Sequence, residues 1–159
     1  MLNSVSKKNL VALAALGSVA LLAGAFLFQA LGYAPCKMCY WQRHPHGAAA
    51  VIGAVFLFIP LAILPWLGAL AAALTGGVGV FHAGVEQKWW DGPSSCSGGG
   101  AGLTGLSGSD LLSTEVIDRV VMCDEISWQL LGLSMPAWNA VWSFALVVLW
   151  LVAARRATQ

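Results

Sequence analysis

The chain has 159 residues and a formal net charge of +1, with 58% hydrophobic and only 9% charged residues. An ordinary soluble domain is about 25% charged and about 45–50% apolar, so this composition excludes a soluble globular domain and indicates a membrane protein. We expect membrane lipid around it and no nucleic-acid partner.

Four apolar stretches are long enough to cross a bilayer as helices. A hydrocarbon core of about 30 Å needs about 20 apolar residues per helical crossing, and the qualifying stretches are residues 10–31, 47–64, 66–85 and 136–154. The first is too long for the usual core of a secretory signal, about 7–15 residues, and we keep it as a helix. The fold class is therefore predicted to be an all-α membrane protein, a four-helix transmembrane bundle forming one integral membrane domain over residues 1–159.

Charge placement orients the predicted bundle. Lys7 and Lys8 precede the first helix, and Arg155 and Arg156 follow the fourth. The positive-inside bias puts both ends in the cytoplasm, which agrees with four crossings. Residues 34–46 and 86–135 are then the outer segments, and all seven acidic residues lie in the second of them, as expected for a water-exposed loop.

The longer outer segment contains two different kinds of sequence. "SGGGAGLTGLSG" is glycine-rich and is typical of a flexible tether. "SDLLSTEVIDRVVM" follows, and the spacing of its apolar residues predicts a short amphipathic helix on the membrane surface or on the bundle.

All four cysteines, Cys36, Cys39, Cys96 and Cys123, fall in the two outer segments. Their compartment is thus expected to be oxidising, where disulfides form and persist. Four cysteines allow three pairings, and spacing alone leaves them open. One of the three, Cys36–Cys39 with Cys96–Cys123, separates a tight CxxC from a bond that closes a long loop.

The two bonds of that pairing have different expected uses. A CxxC disulfide constrains the unfolded chain little, and CxxC is a recurrent arrangement for lowering a thiol pKa and easing exchange. Lys37 and Arg43 are near enough in sequence to favour a thiolate. A Cys96–Cys123 bond would close a loop of roughly 28 residues and stabilise the fold by about 3.5 kcal/mol, so a purely structural brace remains an alternative for it.

Metal and haem are weaker interpretations of the same residues. Cys36, Cys39, His44 and His46 offer thiolate and imidazole donors suited to zinc or copper. The second cysteine pair lacks CxxC spacing and the histidines flank a proline, so we expect no metal. Covalent c-type haem needs CxxCH, and Tyr40 stands where that histidine would be.

Several motifs together resemble one known family. They are "PCKMCYWQR" leading into the second helix, "FHAGVE" ending the third, and "MCDEISWQLLGLSMPAWN" opening the fourth. In this order they are similar to DsbB, the disulfide bond formation protein B family of bacterial inner membranes, over nearly the whole chain. The resemblance implies that the outer segments and their cysteines are periplasmic.

The resemblance implies a membrane thiol–quinone oxidoreductase of electron transport. A reduced periplasmic thioredoxin-fold partner, a DsbA-like dithiol oxidase, would be reoxidised at a Cys96–Cys123 disulfide, and electrons would pass to Cys36–Cys39 and then to a membrane quinone, ubiquinone or menaquinone. Cys96 would be attacked by the partner's thiolate. Cys36 would exchange with the loop, and Cys39 would lie next to the quinone.

Four further residues are candidate quinone-binding residues. The resemblance assigns Arg43 to binding and polarising the quinone, because a fixed cation stabilises the negative charge of its reduction; an interfacial anchor is the alternative. His82 is a functional candidate as an ionisable residue in a membrane span, unless it only bridges two helices. Glu86 shares its face and is expected to pair with His82 or Arg43, and Trp41 adjoins the CxxC.

Two expectations concern neighbouring polar residues. Gln42 stands where many members of the family carry glutamate, so no acid–base role transfers to it. His44 and His46 are expected at the membrane interface rather than in the chemistry.

Two other classes of protein are alternative interpretations of the sequence. A non-enzymatic four-helix membrane protein would use unreactive disulfides as braces and bind no quinone. A vitamin K epoxide reductase-like enzyme is also a four-helix, quinone-linked thiol oxidoreductase, but that family places its CxxC at a late helix, whereas the CxxC comes first here.

Overall fold

The computed structural model describes residues 6–93 and 122–156, and these are mostly α-helical. The elements in chain order are α1 (Lys7–Ala30), α2 (Lys37–Phe58), α3 (Leu64–Glu86), β1 (Gln129–Leu130), β2 (Leu133–Ser134) and α4 (Met135–Ala154). The predicted all-α, four-helix fold class is confirmed. The glycine-rich tether and the predicted amphipathic helix lie outside the described residues.

Within the described ranges, three helices are long and apolar enough to cross a membrane: α1, α3 and α4. Helix α2 is as long, but it begins with the polar sequence "KMCYWQRHPH". Large apolar side chains such as Leu16, Val51 and Phe58 face outward. Such a surface is unfavourable in water and favourable in lipid, so the packing agrees with the composition.

The start of α2 differs from the sequence-based expectation. The predicted helix covered residues 47–64, whereas α2 runs from Lys37 to Phe58, so residues 37–46 are helical instead of connecting two helices. Cys36 is the N-cap, and its Sγ accepts a hydrogen bond from the Cys39 amide at 3.4 Å, which satisfies one of the unpaired N–H groups of the first turn. Pro45 lies inside the helix and removes one backbone donor without ending it.

Helix α3 packs closely against α4 through small residues. A Cβ added at Gly79 would lie 2.9 Å from the Pro136 carbonyl oxygen, and one at Gly68 would lie 2.6 Å from the Trp150 ring. Trp150 is fully buried. Close approach at small residues is the usual way that membrane helices gain packing contacts.

A short hairpin leads the chain into α4. Strands β1 and β2 are antiparallel, with Leu130 opposite Leu133. The two turn residues, Leu131 and Gly132, have φ values of 52° and 79°, as a type I′ hairpin turn requires. Ser134 ends β2 and is the N-cap of α4. The hairpin thereby fixes where α4 starts relative to Cys123.

Candidate functional site

A cavity of about 490 Å³ lies where α2 begins and α3 ends, within the size range of ligand pockets. Its wall includes Cys36, Cys39, Arg43, His82 and Glu86. Aromatic and aliphatic side chains from α1, α4 and the segment before the hairpin form most of the rest. The fold thus brings five of the predicted site residues to one apolar cavity.

Three of the four predicted catalytic cysteines lie close together, and two of them, Cys36 and Cys39, belong to the cavity wall. The Sγ atoms of Cys36 and Cys39 are 3.1 Å apart, so a small movement brings them to the disulfide bond length of about 2.0 Å. The Sγ atoms of Cys36 and Cys123 and a ring nitrogen of His82 all lie within 4.8 Å of one another. Cys96, the fourth, lies outside the described residues.

The buried position of Cys36 controls where a proton resides in the reduced pair. Cys36 and Cys123 are 4% and 1% exposed. A hydrogen bond from the Cys36 thiol to Cys39, together with burial, raises the pKa of Cys36 far above its ordinary value. The shared proton is therefore held on Cys36, and negative charge on the pair falls to Cys39, which is nearer to Arg43 in sequence.

His82 lies between the cysteines and the core of the bundle. Its Nε2 is 3.5 Å from the Cys36 Sγ, its Nδ1 is 3.0 Å from the Gln42 Nε2, and the backbone of Cys123 also forms a hydrogen bond with it. The side chain is 2% exposed. His82 thus contacts both the CxxC and the segment that carries Cys123.

The same two thiols and imidazole are donors of the kind that zinc prefers. A metal at Nε2 requires that nitrogen to be unprotonated. Gln42 Nε2 also donates to the Met38 carbonyl oxygen at 3.1 Å, which fixes the nitrogen end of the amide toward His82. His82 Nδ1 then accepts, and the proton resides on Nε2, which is the wrong tautomer for this metal set.

Arg43 joins α2 to α1. Its guanidinium donates to Gln29 Oε1 at 2.7 Å and to the Ala25 carbonyl oxygen at 3.2 Å, and it lies 4.8 Å from the Phe26 ring centroid and 5.1 Å from that of Tyr40. Its Nε is buried without a hydrogen-bond partner among the described residues. One donor of the cation therefore remains unused at the cavity wall.

Glu86 does not make the predicted pairs. Its carboxylate forms a hydrogen bond with the Ser134 side chain. Arg43 donates its hydrogen bonds to α1, and the two ring nitrogens of His82 contact Gln42 and Cys36. The expected pairing of Glu86 with either residue is not present in the described part of the chain. Glu86 Oε2 is buried and has no partner among the described residues.

Trp41 lies apart from the cavity. It is 40% exposed, its ring faces the Lys37 ammonium at 6.0 Å, and it does not contribute to the cavity wall described here.

Three polar residues of α2 and α4 also belong to the cavity wall and were not predicted as site residues: Gln42, His46 and Asn139. His46 is 3% exposed, and its Nε2 lies 2.9 Å from Asn139 Oδ1. Residues 39, 42, 43 and 46 share one face of a helix by their spacing of three and four, a pattern visible only once α2 is known to start at Lys37.

The comparisons with known proteins agree with this arrangement. The family model "Disulfide bond formation protein DsbB" matches residues 7–153. Proteins called "Disulfide bond formation protein B" are similar to the chain. One from Xanthomonas oryzae pv. oryzae is 35% identical over 132 residues, 78% of this chain and 75% of its own length. One from Xylella fastidiosa is 32% identical over 137 residues, 80% and 78% of the two chains.

A comparison with solved structures gave no significant match. The family match covers nearly the whole chain and includes every helix except the last residue of α4. The chain therefore belongs to the disulfide bond formation protein DsbB family, whose members are membrane proteins of disulfide formation.

Proposed function

We propose that this protein is a membrane thiol–quinone oxidoreductase that reoxidises a thioredoxin-fold dithiol partner. Electrons pass through a Cys96–Cys123 disulfide to Cys36–Cys39 and on to a quinone. The observation that carries the proposal is the grouping of three sulfurs beside the cavity. The Cys39 and Cys36 sulfurs are 3.1 Å apart, and the Cys36 and Cys123 sulfurs are no more than 4.8 Å apart.

The exchange steps conserve electrons at each bond. A partner thiolate attacks Cys96, the Cys96–Cys123 bond breaks, and Cys123 leaves as a thiolate. Cys123 then attacks the Cys36 sulfur, and Cys39 leaves as a thiolate. The partner's second thiol closes its disulfide and frees Cys96, which attacks Cys123 and expels Cys36. The partner is oxidised, and two electrons now reside on Cys36 and Cys39.

The cavity fits a quinone ring in size and chemistry. Its wall is mainly apolar, and three wall residues carry a buried polar atom without a partner among the described residues: Arg43 Nε, His46 Nδ1 and Glu86 Oε2. We propose Arg43, His82 and Glu86 as the residues that hold the ring. A bound quinone supplies an acceptor for the two electrons and two protons that Cys36 and Cys39 lose when their bond closes. Arg43 stabilises negative charge at this end of the cavity.

The proposed location is a bacterial inner membrane, with the cysteines on the periplasmic side and both termini in the cytoplasm. Lys7 Nζ donates to the Arg156 carbonyl oxygen at 3.0 Å, which supports a common side for the start of α1 and the end of α4. The basic residues there favour the cytoplasm. The cysteines lie at the opposite ends of these helices, where an oxidising compartment favours disulfides.

The test follows quinone absorbance while detergent-purified protein turns over a reduced thioredoxin-fold partner and a soluble quinone analogue. Wild type is expected to consume quinone in step with partner thiols, and Cys39→Ser and Cys96→Ser to lose turnover, because each removes a sulfur from the relay. Lys37→Gln is the control, since Lys37 is exposed and outside the cavity wall. If wild type consumes no quinone and its disulfides do not react, the disulfides are structural braces and the proposal is refuted.

A further inference from the structure

A buried polar network extends from the CxxC into the middle of the bundle. Gln42 is 6% exposed and His82 2%. Asn139 of α4 donates from Nδ2 to Gln42 Oε1 at 2.8 Å, and its Oδ1 lies 2.9 Å from His46 Nε2. Buried polar groups are costly unless they are paired, so this network constrains the orientation of each of its members.

The donors and acceptors of the network fix the Gln42 amide. The Met38 carbonyl oxygen, 3.1 Å away, only accepts, so it requires the amide nitrogen of Gln42. Asn139 Nδ2 donates to the other end of the amide, which must be the oxygen. Both contacts select the same orientation. A reversed amide would place two oxygens together at Met38 and two nitrogens together at Asn139.

The amide then selects the tautomer of His82. The second N–H of the Gln42 amide points at His82 Nδ1, 3.0 Å away, so Nδ1 accepts and the ring proton resides on Nε2. That N–H faces the Cys36 sulfur at 3.5 Å, and the backbone of Cys123 is its other hydrogen-bonding neighbour. The orientation of the Gln42 amide on α2 thereby gives His82 an N–H donor that points at the CxxC.

We propose that Gln42 is a positioning residue: its amide holds His82 in the Nε2–H tautomer, so that His82 donates a hydrogen bond to the sulfur of Cys36 when Cys36 leaves as a thiolate. This inference rests on the proposed function. In the step concerned, Cys96 attacks Cys123, the Cys36–Cys123 bond breaks, and its electron pair stays on Cys36. No co-reactant is required.

Burial explains why this step needs a donor. Cys36 is 4% exposed, and a thiolate there has lost most of its hydration. The titratable or charged groups that touch Cys36 or line the same cavity are Tyr33, Cys39, Arg43, His46, His82, Glu86, Cys123 and Glu125. Of these, His82 alone has a neutral N–H fixed toward the Cys36 sulfur by two further hydrogen-bonding residues, Gln42 and Asn139.

The test measures the Cys36 thiolate directly. In the full chain with the other three cysteines replaced by serine, ultraviolet thiolate absorbance against pH gives the pKa of Cys36. Gln42→Met keeps the length of the side chain but removes its donors. It is expected to raise that pKa by about one unit, because the thiolate loses a hydrogen bond that stabilises its charge. Ser143→Ala, at a buried serine beside His46, is the structural control and is expected to leave the titration unchanged.

A second measurement reports the tautomer in the wild-type protein. The ¹⁵N chemical shifts of the His82 ring nitrogens are expected to show a protonated Nε2 and an unprotonated Nδ1. Gln42→Glu, which replaces the amide donor by a carboxylate acceptor of the same size, is expected to move the proton to Nδ1. If Gln42→Met does not fold, this variant and the wild-type spectrum decide the question.

Two results would overturn the inference: a proton on Nδ1 in wild type, or a Cys36 titration that is the same with and without the Gln42 amide. Neither measurement uses partner or quinone. If the Cys36 titration and the His82 shifts both give the expected results but the protein never reduces quinone, the proposed function is refuted and the Gln42–His82–Cys36 contact still stands.

Discussion

At the scale of single residues, Arg43 combines two tasks. Its two terminal nitrogens bind α1 through Gln29 and Ala25, and its Nε is buried without a partner among the described residues. A planar guanidinium has enough donors for both tasks, whereas a lysine ammonium is a single point charge on a flexible stem. The cation is thus held by one helix pair while a donor remains for a ligand.

We predict that Arg43→Lys lowers kcat/KM for a soluble quinone analogue by about ten- to a hundredfold, because one charge-assisted hydrogen bond of about 1.5–3 kcal/mol is lost. Exchange between the partner and the loop cysteines should proceed at the wild-type rate, since the hydrogen bonds of Arg43 within the described residues go to α1. Steady-state quinone reduction and single-turnover partner oxidation separate the two effects. A variant with wild-type quinone kinetics would show that Arg43 is only an anchor.

At the scale of elements, the site depends on how closely α3 approaches α4. Gly79 faces Pro136 and Ala140, with no space for a Cβ. One helical turn further on, His82 meets α2, and α4 contributes Asn139 to the same network. The helix spacing therefore sets the distances within the polar network as well as the packing.

We predict that Gly79→Ala destabilises the folded protein by about 1–3 kcal/mol, the usual effect of overpacking. Gly77→Ala is the matched control, because a Cβ at Gly77 meets nothing within 4 Å, and alanine there should be neutral or slightly stabilising. Thermal midpoints in one detergent measure both variants. Equal midpoints for the two would contradict the close α3–α4 contact.

At the scale of the whole described molecule, the end of α3 is joined to the segment that carries Cys123. Lys88 Nζ and Asp124 Oδ2 form an ion pair at 2.5 Å. Asp124 is the residue after Cys123, so the pair helps to keep that sulfur near the CxxC. The hydrogen bond from Lys88 lowers the pKa of the Asp124 carboxyl below its ordinary value.

We predict that Lys88→Met loses less than about 1 kcal/mol of stability, because the lysine is 65% exposed and solvent screens the pair. A carboxyl with a lowered folded-state pKa stabilises the fold fully above about pH 4, its ordinary pKa, and this stabilisation is lost as pH falls through the folded value. The difference in thermal midpoint from wild type should therefore be present at pH 7 and vanish toward pH 2. Lys8→Met, at the other end of the bundle, should show no such pH-dependent difference.

The sequence by itself determined the four helices, the membrane class and the family resemblance. Hydrophobic length is a local property of the chain, so α1, α3 and α4 lie within a few residues of their predicted bounds. The CxxC, Arg43 and His82 were identifiable as candidates from their residue types and motifs.

Only the tertiary structure decided where α2 begins and what it faces. Capping by Cys36 extends the helix through a polar stretch and past Pro45, which hydropathy does not predict. That extension places Gln42 and His46 in the bundle, where Asn139 from the distant α4 satisfies them, and leaves Trp41 outside. Polar side chains in a membrane protein are placed by the partners that satisfy their hydrogen bonds, and those partners are set by packing between helices far apart in sequence.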